Sequence, residues 1–298
     1  MKLIVQPDAD IVPVVQAIRR ARKQVAICIF RLDREDIVRA LSATAQRGVQ
    51  VRALIAHTNR GGEKRLRQIE QMLLGGGITV TRTADDLLRY HGKFMVVDDT
   101  LHLFGFNFTR NDIEKSRSFG IATRDRRTVR EAISLFEADA TRQVYTPSPS
   151  NLVVSPETSR EMLEKFIKGA HRQLAIYDLH IQDPMMIKLL KERVEKGVEV
   201  RVIGSMKQSG DILVRPLRGL RLHVRAIIRD GTRAFVGSQS LRKVELKHRR
   251  EVGLLISNPA VTRKLMQIFE SDWADSTIDA KNDGGKKEEE KENEKAAG

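Results

Sequence analysis

The sequence predicts an α/β protein of two pseudo-symmetric halves, each a mixed, largely parallel sheet flanked by helices. Three observations predict it. First, the chain repeats itself: at an offset of 149, Leu3-Ile-Val-Gln-Pro7 falls on Leu152-Val-Val-Ser-Pro156 and Lys23-Gln-Val-Ala-Ile27 on Arg172-Gln-Leu-Ala-Ile176. Arg47-Gly-Val-Gln-Val-Arg52 falls likewise on Lys196-Gly-Val-Glu-Val-Arg201. A long-period repeat sets architecture before any single element is considered. Second, helix-period segments alternate with short apolar runs in both copies, which is the pattern of strands joined by crossover helices. Third, 298 residues at 41% hydrophobic suffice for two ordinary domains with cores of their own.

The elements follow in order. Met1 to Asp8 reads as a strand entering a turn, with Gln and Pro ending the apolar run. A helix is expected over Ile11–Lys23, and its counterpart over Glu157–Gln173. Strands follow at Val25–Phe30 and Leu174–Leu179. Amphipathic helices at Arg34–Arg47 and Pro184–Lys196 stop at Gly48 and Gly197, and strands at Val49–Ala56 and Val198–Gly204 come next. The first half then carries 17 extra residues, including a polar helix Gly62–Leu74 ended by Gly75-Gly-Gly77, and the halves realign at an offset of 132. The expected units are 1–148, 149–279 and a tail 280–298. The tail has no apolar side chain larger than alanine and five lysines against six acidic residues, so it is expected to be disordered.

Charge narrows the partners. Lys and Arg number 53 against 39 Asp and Glu, for a net +14 and a pI near 10.1. That balance favours nucleic acid, anionic lipid or a phosphorylated small molecule. Aromatic residues at 5% argue against base-stacking platforms and against aromatic membrane anchors. The single cysteine, Cys28, excludes an intrachain disulfide and a multi-cysteine zinc site, and its apolar surroundings read as core. No run approaches the roughly 18–20 apolar residues of a membrane span, and the N-terminus does not read as a secretory signal. The expected location is the cytoplasm.

The informative residues lie in the second register. His91-Gly-Lys93 is followed by Asp98, Gly105, Asn107 and Thr109; His223-Val-Arg225 is followed by Asp230, Gly237, Ser238 and Ser240. On a strand, residues two apart share a face, so each imidazole stands beside a cation. Each Asp closes its strand near a hairpin turn, where such residues accept backbone hydrogen bonds. The return strand delivers a glycine and small polar groups that an anion can approach closely. Two imidazoles and two cations brought together by a two-fold axis suit a phosphodiester: one imidazole attacks phosphorus and the other protonates the leaving oxygen. The cations hold the non-bridging oxygens as charge builds. This chemistry needs no metal or other cofactor, and no carboxylate cluster is visible that would bind one.

Here the sequence resembles the phospholipase D superfamily, whose enzymes carry paired His-x-Lys-x4-Asp motifs, over essentially residues 1–279. The first motif fits at His91, Lys93 and Asp98. Its Gly-Ser-x-Asn element fits if one residue is deleted from the hairpin turn, with Gly105 at the Ser and Asn107 at the Asn. In the second motif Arg225 stands for Lys and Ser240 for Asn; Arg keeps the charge and adds bidentate contacts. The resemblance implies that Glu251 orients His223. Ser118 occupies the equivalent first-half position, and Asp112 and Glu114 are the candidates to orient His91. His91 is expected as the nucleophile that forms a phosphohistidine, on the more complete cradle, and His223 as proton donor, because Glu251 would raise its basicity and hold its tautomer.

The site expected is therefore His91, Lys93, His223 and Arg225, supported by Asn107, Thr109, Ser238, Ser240, Glu251, Asp98 and Asp230. His57, His102, His171, His180 and His248 read as structural or surface residues, and Arg60–Arg67 as a solvated helix start. The expected function is metal-independent hydrolysis of a phospholipid phosphodiester by a monomer, with peripheral contact to an anionic membrane. A nuclease on the same scaffold, a transferase that joins a second alcohol, and an inactive phosphate-binding relative are the competing classes.

Overall fold

Buried β-branched runs and amphipathic helices alternate through the chain, and the computed structural model describes residues 1–58 and 62–276. The expected tail 280–298 lies outside the described residues. Strand β1 (Lys2–Gln6) leads through α1 (Val12–Arg19), β2 (Gln24–Ile29), α2 (Glu35–Gln46), β3 (Gln50–Ile55) and α3 (Gly62–Gly75) to β4 (Thr79–Arg82). A two-residue β5 (Arg89–Tyr90), the hairpin β6 (Phe94–Val97) and β7 (Thr100–Phe104), a short α4 (Arg110–Glu114), β8 (Ser116–Thr123) and α5 (Arg126–Thr141) follow.

The second half repeats this with β9 (Leu152–Val154), α6 (Ser159–Lys168), β10 (Gln173–Ile181), α7 (Pro184–Glu195), β11 (Glu199–Met206) and β12 (Leu213–Arg215). Then come β13 (Arg221–Leu222), the hairpin β14 (Arg225–Arg229) and β15 (Arg233–Gly237), α8 (Lys243–Lys247), β16 (Arg249–Arg250), β17 (Val252–Ile256) and α9 (Pro259–Asp275). Helix α3 has no counterpart between β11 and β12, which accounts for the extra first-half residues.

The two large sheets have matching order. One runs β1-β8-β7-β6-β2-β3-β4; the other, read the same way, runs β9-β17-β15-β14-β10-β11-β12. Each is mixed, as expected. Five of the seven strands in each path point the same way, yet only the β2-β3-β4 and β10-β11-β12 contacts are parallel ladders. The hairpin strand and one further strand reverse direction, and that reversal carries the histidine motifs.

Helices α1 and α2 pack on one face of the first sheet and α6 and α7 on one face of the second, each over its own core. The other two faces meet around a shared core that includes α5 and α9. These two helices were not read from the sequence. Each is capped by an acceptor side chain, Asp125 for α5 and Asn258 for α9, and each buries one stripe; in α9 it is Val261, Leu265, Phe269 and Trp273. Cys28 is buried as expected. Its repeat-mate, Tyr177, reaches Asp272 with its hydroxyl at 2.6 Å, whereas beside Cys28 a cavity of about 20 Å³ remains, bordered by Asp139 and Arg250.

The halves are tied by two symmetry-related ion pairs. Arg117 on β8 donates twice to Asp272 on α9, at 2.9 Å each, and Arg250 on β16 meets Asp139 on α5 at 3.1 Å. Arg250 also binds Glu157 at 2.6 Å. Burial pushes Asp139 up to about 6 against the pull of Arg250. We expect Arg117→Met to leave Asp272 buried and unpaired, at a cost of about 3–5 kcal/mol. Urea denaturation checks this, and a loss below about 1 kcal/mol would show that the pair contributes little.

Candidate active site

Two short parallel ladders place the histidines. β16 pairs with β5, so the His91 N–H donates to the Arg250 carbonyl at 2.7 Å; β13 pairs with β8, so the His223 N–H donates to the Arg117 carbonyl at 3.2 Å. Each histidine backbone therefore hangs on the opposite half. From there each motif enters its hairpin, β6-β7 or β14-β15. The hairpin registers explain the motif spacing: Val97 faces Thr100 across a two-residue turn, while Arg229 faces Arg233 across three. The offset thus passes from 132 to 133 inside the hairpin, and Gly105 matches Ser238, not Gly237.

Around His91 the contacts are tight. Its Nδ1 lies 2.8 Å from Glu251 Oε2, and its Nε2 lies 2.8 Å from Lys93 Nζ, which also donates to the His91 carbonyl at 2.9 Å. The edge of Phe30 packs against the imidazole with ring centroids 4.5 Å apart. Burial drives His91 far below its ordinary range, and the Lys93 and Arg225 charges add to this. Burial also pushes Lys93 down to about 7, with Glu251 opposing, and lifts Glu251, with Lys93 and the Ser238 hydroxyl opposing.

Around His223 the contacts are looser. Its Nδ1 is 3.5 Å from Asp112 Oδ2 and lacks a hydrogen-bond partner among the described residues. Arg225 donates to the Ser240 hydroxyl at 3.3 Å and to the His223 carbonyl at 3.4 Å. Burial again lowers His223 well below its ordinary value; Asp112 opposes, while Arg225, Arg221 and Lys93 add to the fall. The charges of Lys93 and Arg225 thus bear on both imidazoles, so the two motifs share one cleft.

The carboxylates exchange partners relative to the expectation from resemblance. Glu251 orients His91, not His223, and the carboxylate facing His223 is Asp112. Glu114, the other candidate, pairs with Arg34 instead. The reason is the crossed ladders, which hold each imidazole over the other half's β17 or α4. Asp112 also accepts the backbone and side-chain N–H groups of Asn107, at 2.8 and 2.7 Å. Its repeat-mate Glu245, missed in the sequence, accepts the Ser240 N–H at 2.6 Å. The offset of 133 from Asp112 was the signal that could have found it.

Three expected supporting residues are engaged elsewhere. Asp98 and Asp230 end strands four and five residues long, on the side away from the histidines. Each accepts three consecutive backbone N–H groups, Arg22 to Gln24 and His171 to Gln173. The Thr109 hydroxyl caps α4. Those that converge are His91, Lys93, Asn107, Glu251, His223, Arg225, Ser240 and Ser238, whose hydroxyl accepts the Val252 N–H and acts on Glu251. Four buried polar atoms there lack partners among the described residues: Asn107 Oδ1, Ser118 Oγ, His223 Nδ1 and Glu251 Oε1. Buried groups left open in this way mark where water or ligand oxygens belong. Gly105 keeps the centre open, since a Cβ there would stand 3.0 Å from the Phe119 carbonyl oxygen and 3.5 Å from that of Gly237.

The duplicated α/β fold thus sets one His-x-cation motif from each half around a common cleft. Residues 14–140 match the family described as cardiolipin synthase, PLD-like domain. A comparison with curated proteins finds no match. Among solved structures, polyphosphate kinase from Porphyromonas gingivalis superposes with a TM-score of 0.77 at 20% identity, over 91% of this chain and 50% of that one. Phosphatidylserine synthase from Haemophilus influenzae Rd KW20 superposes with a TM-score of 0.70 at 13% identity, over 93% and 86%. At these identities the likeness is one of fold, and the chain spans about half the length of the kinase. The family match covers residues 14–140 of the first half, and the second half repeats that half's fold and its His-x-cation motif.

The Lys93 environment gives a pH prediction. Its ammonium exists below about 7 and is lost above it. Affinity for sulfate, whose charge is constant over that range, is therefore expected to fall as pH rises through about 7. Lys93→Arg should hold affinity to higher pH. A flat calorimetric profile in the wild-type chain would show that Lys93 stays charged.

Proposed function

We propose that this chain is a metal-independent phosphodiesterase that hydrolyses a phospholipid phosphodiester through a phosphohistidine on His91. The observation that carries this reading is the Glu251–His91–Lys93 alignment. With Nδ1–H donating to Glu251, Nε2 carries the lone pair and is made more nucleophilic, and the carboxylate stabilises the charge that appears as the imidazole is phosphorylated. Lys93, now at Nε2, would turn to a non-bridging oxygen once a phosphodiester enters, with Arg225 on the other side.

In the first step the His91 Nε2–P bond forms and the P–O bond to the leaving alcohol breaks, with a proton from His223 going to that oxygen. In the second, His223 takes a proton from water as its oxygen attacks phosphorus, the P–N bond breaks and His91 is restored. Burial and three cations, Arg225, Arg221 and Lys93, disfavour a proton on free His223. A bound phosphodiester anion would offset those cations and, with Asp112, let His223 carry its proton. The phospholipid assignment draws on the matched family's description as cardiolipin synthase, PLD-like domain. Among the described residues no group of three or more His, Cys, Asp or Glu is placed to hold a metal ion.

Two measurements test this. Quenching turnover of a phosphorus-labelled phosphodiester in His223→Asn and mapping the label by peptide mass should place it on His91. Label confined to position 223 in the wild-type chain, still trapped in His91→Asn, would reverse the roles. Hydrolysis should also persist in excess chelator; a strict requirement for added divalent metal would overturn the paired-histidine mechanism.

A further inference from the structure

The mouth of the cleft on the His223 side holds more positive charge than one phosphodiester needs. Arg31 follows β2 and is exposed. Its carbonyl accepts the Phe108 N–H, and Leu32 bridges Phe108, which pins it beside the Asn107–Thr109 turn. Its side chain has no ion pair or hydrogen bond among the described residues. Arg221, from the other half, faces the same turn. Its Nε donates to Ser116 at 3.0 Å and one Nη to Asp112, while its other Nη is uncommitted and the side chain is 41% exposed.

Arg221 thus shares one carboxylate, Asp112, with His223, and the Arg31 and Arg225 charges bear on Arg221. Burial lowers Arg221 from its ordinary value, and the nearby Arg225 and Arg31 charges add to that. Like charges held close together are costly unless an anion joins them, and guanidinium forks match phosphate geometry. The pseudo-symmetry sharpens the point. Where the first half has Arg31 the second has His180, whose ring is bonded to Ser205, and Glu245 is met by both Arg242 and Arg249. Arg221 has a repeat-mate in Arg89, so the difference between the two sides is Arg31 against His180.

We propose that Arg31 and the free edge of Arg221 form a second anion subsite, so that the substrate carries a further phosphate beside the scissile phosphodiester. This rests on the reading of the cleft as a phosphodiesterase site. With His223 as proton donor, the second phosphate belongs to the leaving alcohol. Two sources share this chemistry: a lipid headgroup with a terminal phosphate and a nucleotide.

Calorimetry on the full chain at fixed ionic strength tests it, with hydrolysis of bis(p-nitrophenyl) phosphate followed in parallel. Propane-1,3-diol bisphosphate is compared with propanediol monophosphate, and thymidine 3′,5′-bisphosphate with thymidine monophosphate. We expect one bisphosphate to bind about tenfold or more tightly than its monophosphate, which is about 1.4 kcal/mol. Arg31→Gln should bring that ratio down to about twofold, and Arg124→Gln, at the far end of the sheet, should leave it unchanged. The preferred pair identifies the source. Equal binding within both pairs, or a ratio unmoved by Arg31→Gln, overturns the subsite. A ratio that behaves as expected, without hydrolysis, supports the subsite and instead removes the catalytic reading.

Discussion

The arrangement rests on one reciprocal contact: each histidine's backbone amide is held by an arginine carbonyl of the opposite half, His91 by Arg250 and His223 by Arg117. The same arginines send their guanidiniums into buried carboxylates, Asp139 and Asp272, on helices in the core between the two sheets. Backbone position and side-chain anchorage are thus set by the same residues. A buried ion pair of this kind adds little net stability over an apolar pair, but losing one partner is expensive. Its value here is registry, since it fixes how the halves meet and so where the imidazoles stand.

That crossed geometry also makes the site unequal. Glu251 approaches His91 at 2.8 Å, while Asp112 stays 3.5 Å from His223 because it also holds Asn107 and Arg221. In the repeat, Ser238 and Glu251 of one half correspond to Gly105 and Ser118 of the other, so the second half's supporting carboxylate has no first-half twin. One imidazole is held at both nitrogens, by Glu251 and Lys93; the other is left with an open Nδ1 among the described residues. A duplicated ancestor would have made both alike, and the differences fall on the residues that would divide a nucleophile from a proton donor.

Burial supplies the electrostatics. In a cleft this enclosed, each charge acts across short distances with little screening, so Lys93 and Arg225 bear on both imidazoles and on each other. The site without substrate carries positive charge in search of an anion, and the arginines at the mouth extend that excess outward.

The sequence by itself determined the duplicated α/β architecture and the placing of one His-x-cation pair in each half. Periodicity and repeat offsets are local properties of the chain, and His-x-cation spacing needs only strand geometry to put both groups on one face. Helix α3 and strands β2, β3, β10 and β11 were legible within a residue or two for the same reason. Helices α5 and α9 were not, because their apolar stripes are short among charged residues and find meaning only in the core shared by both halves. Tertiary structure alone decided which carboxylate serves which histidine, because the two ladders that cross between halves join residues more than a hundred positions apart. It also took Asp98 and Asp230 out of the cleft and gave the Thr109 hydroxyl to a helix cap. Their types suit an anion equally well, but backbone N–H groups at a strand start and a helix start claim them first.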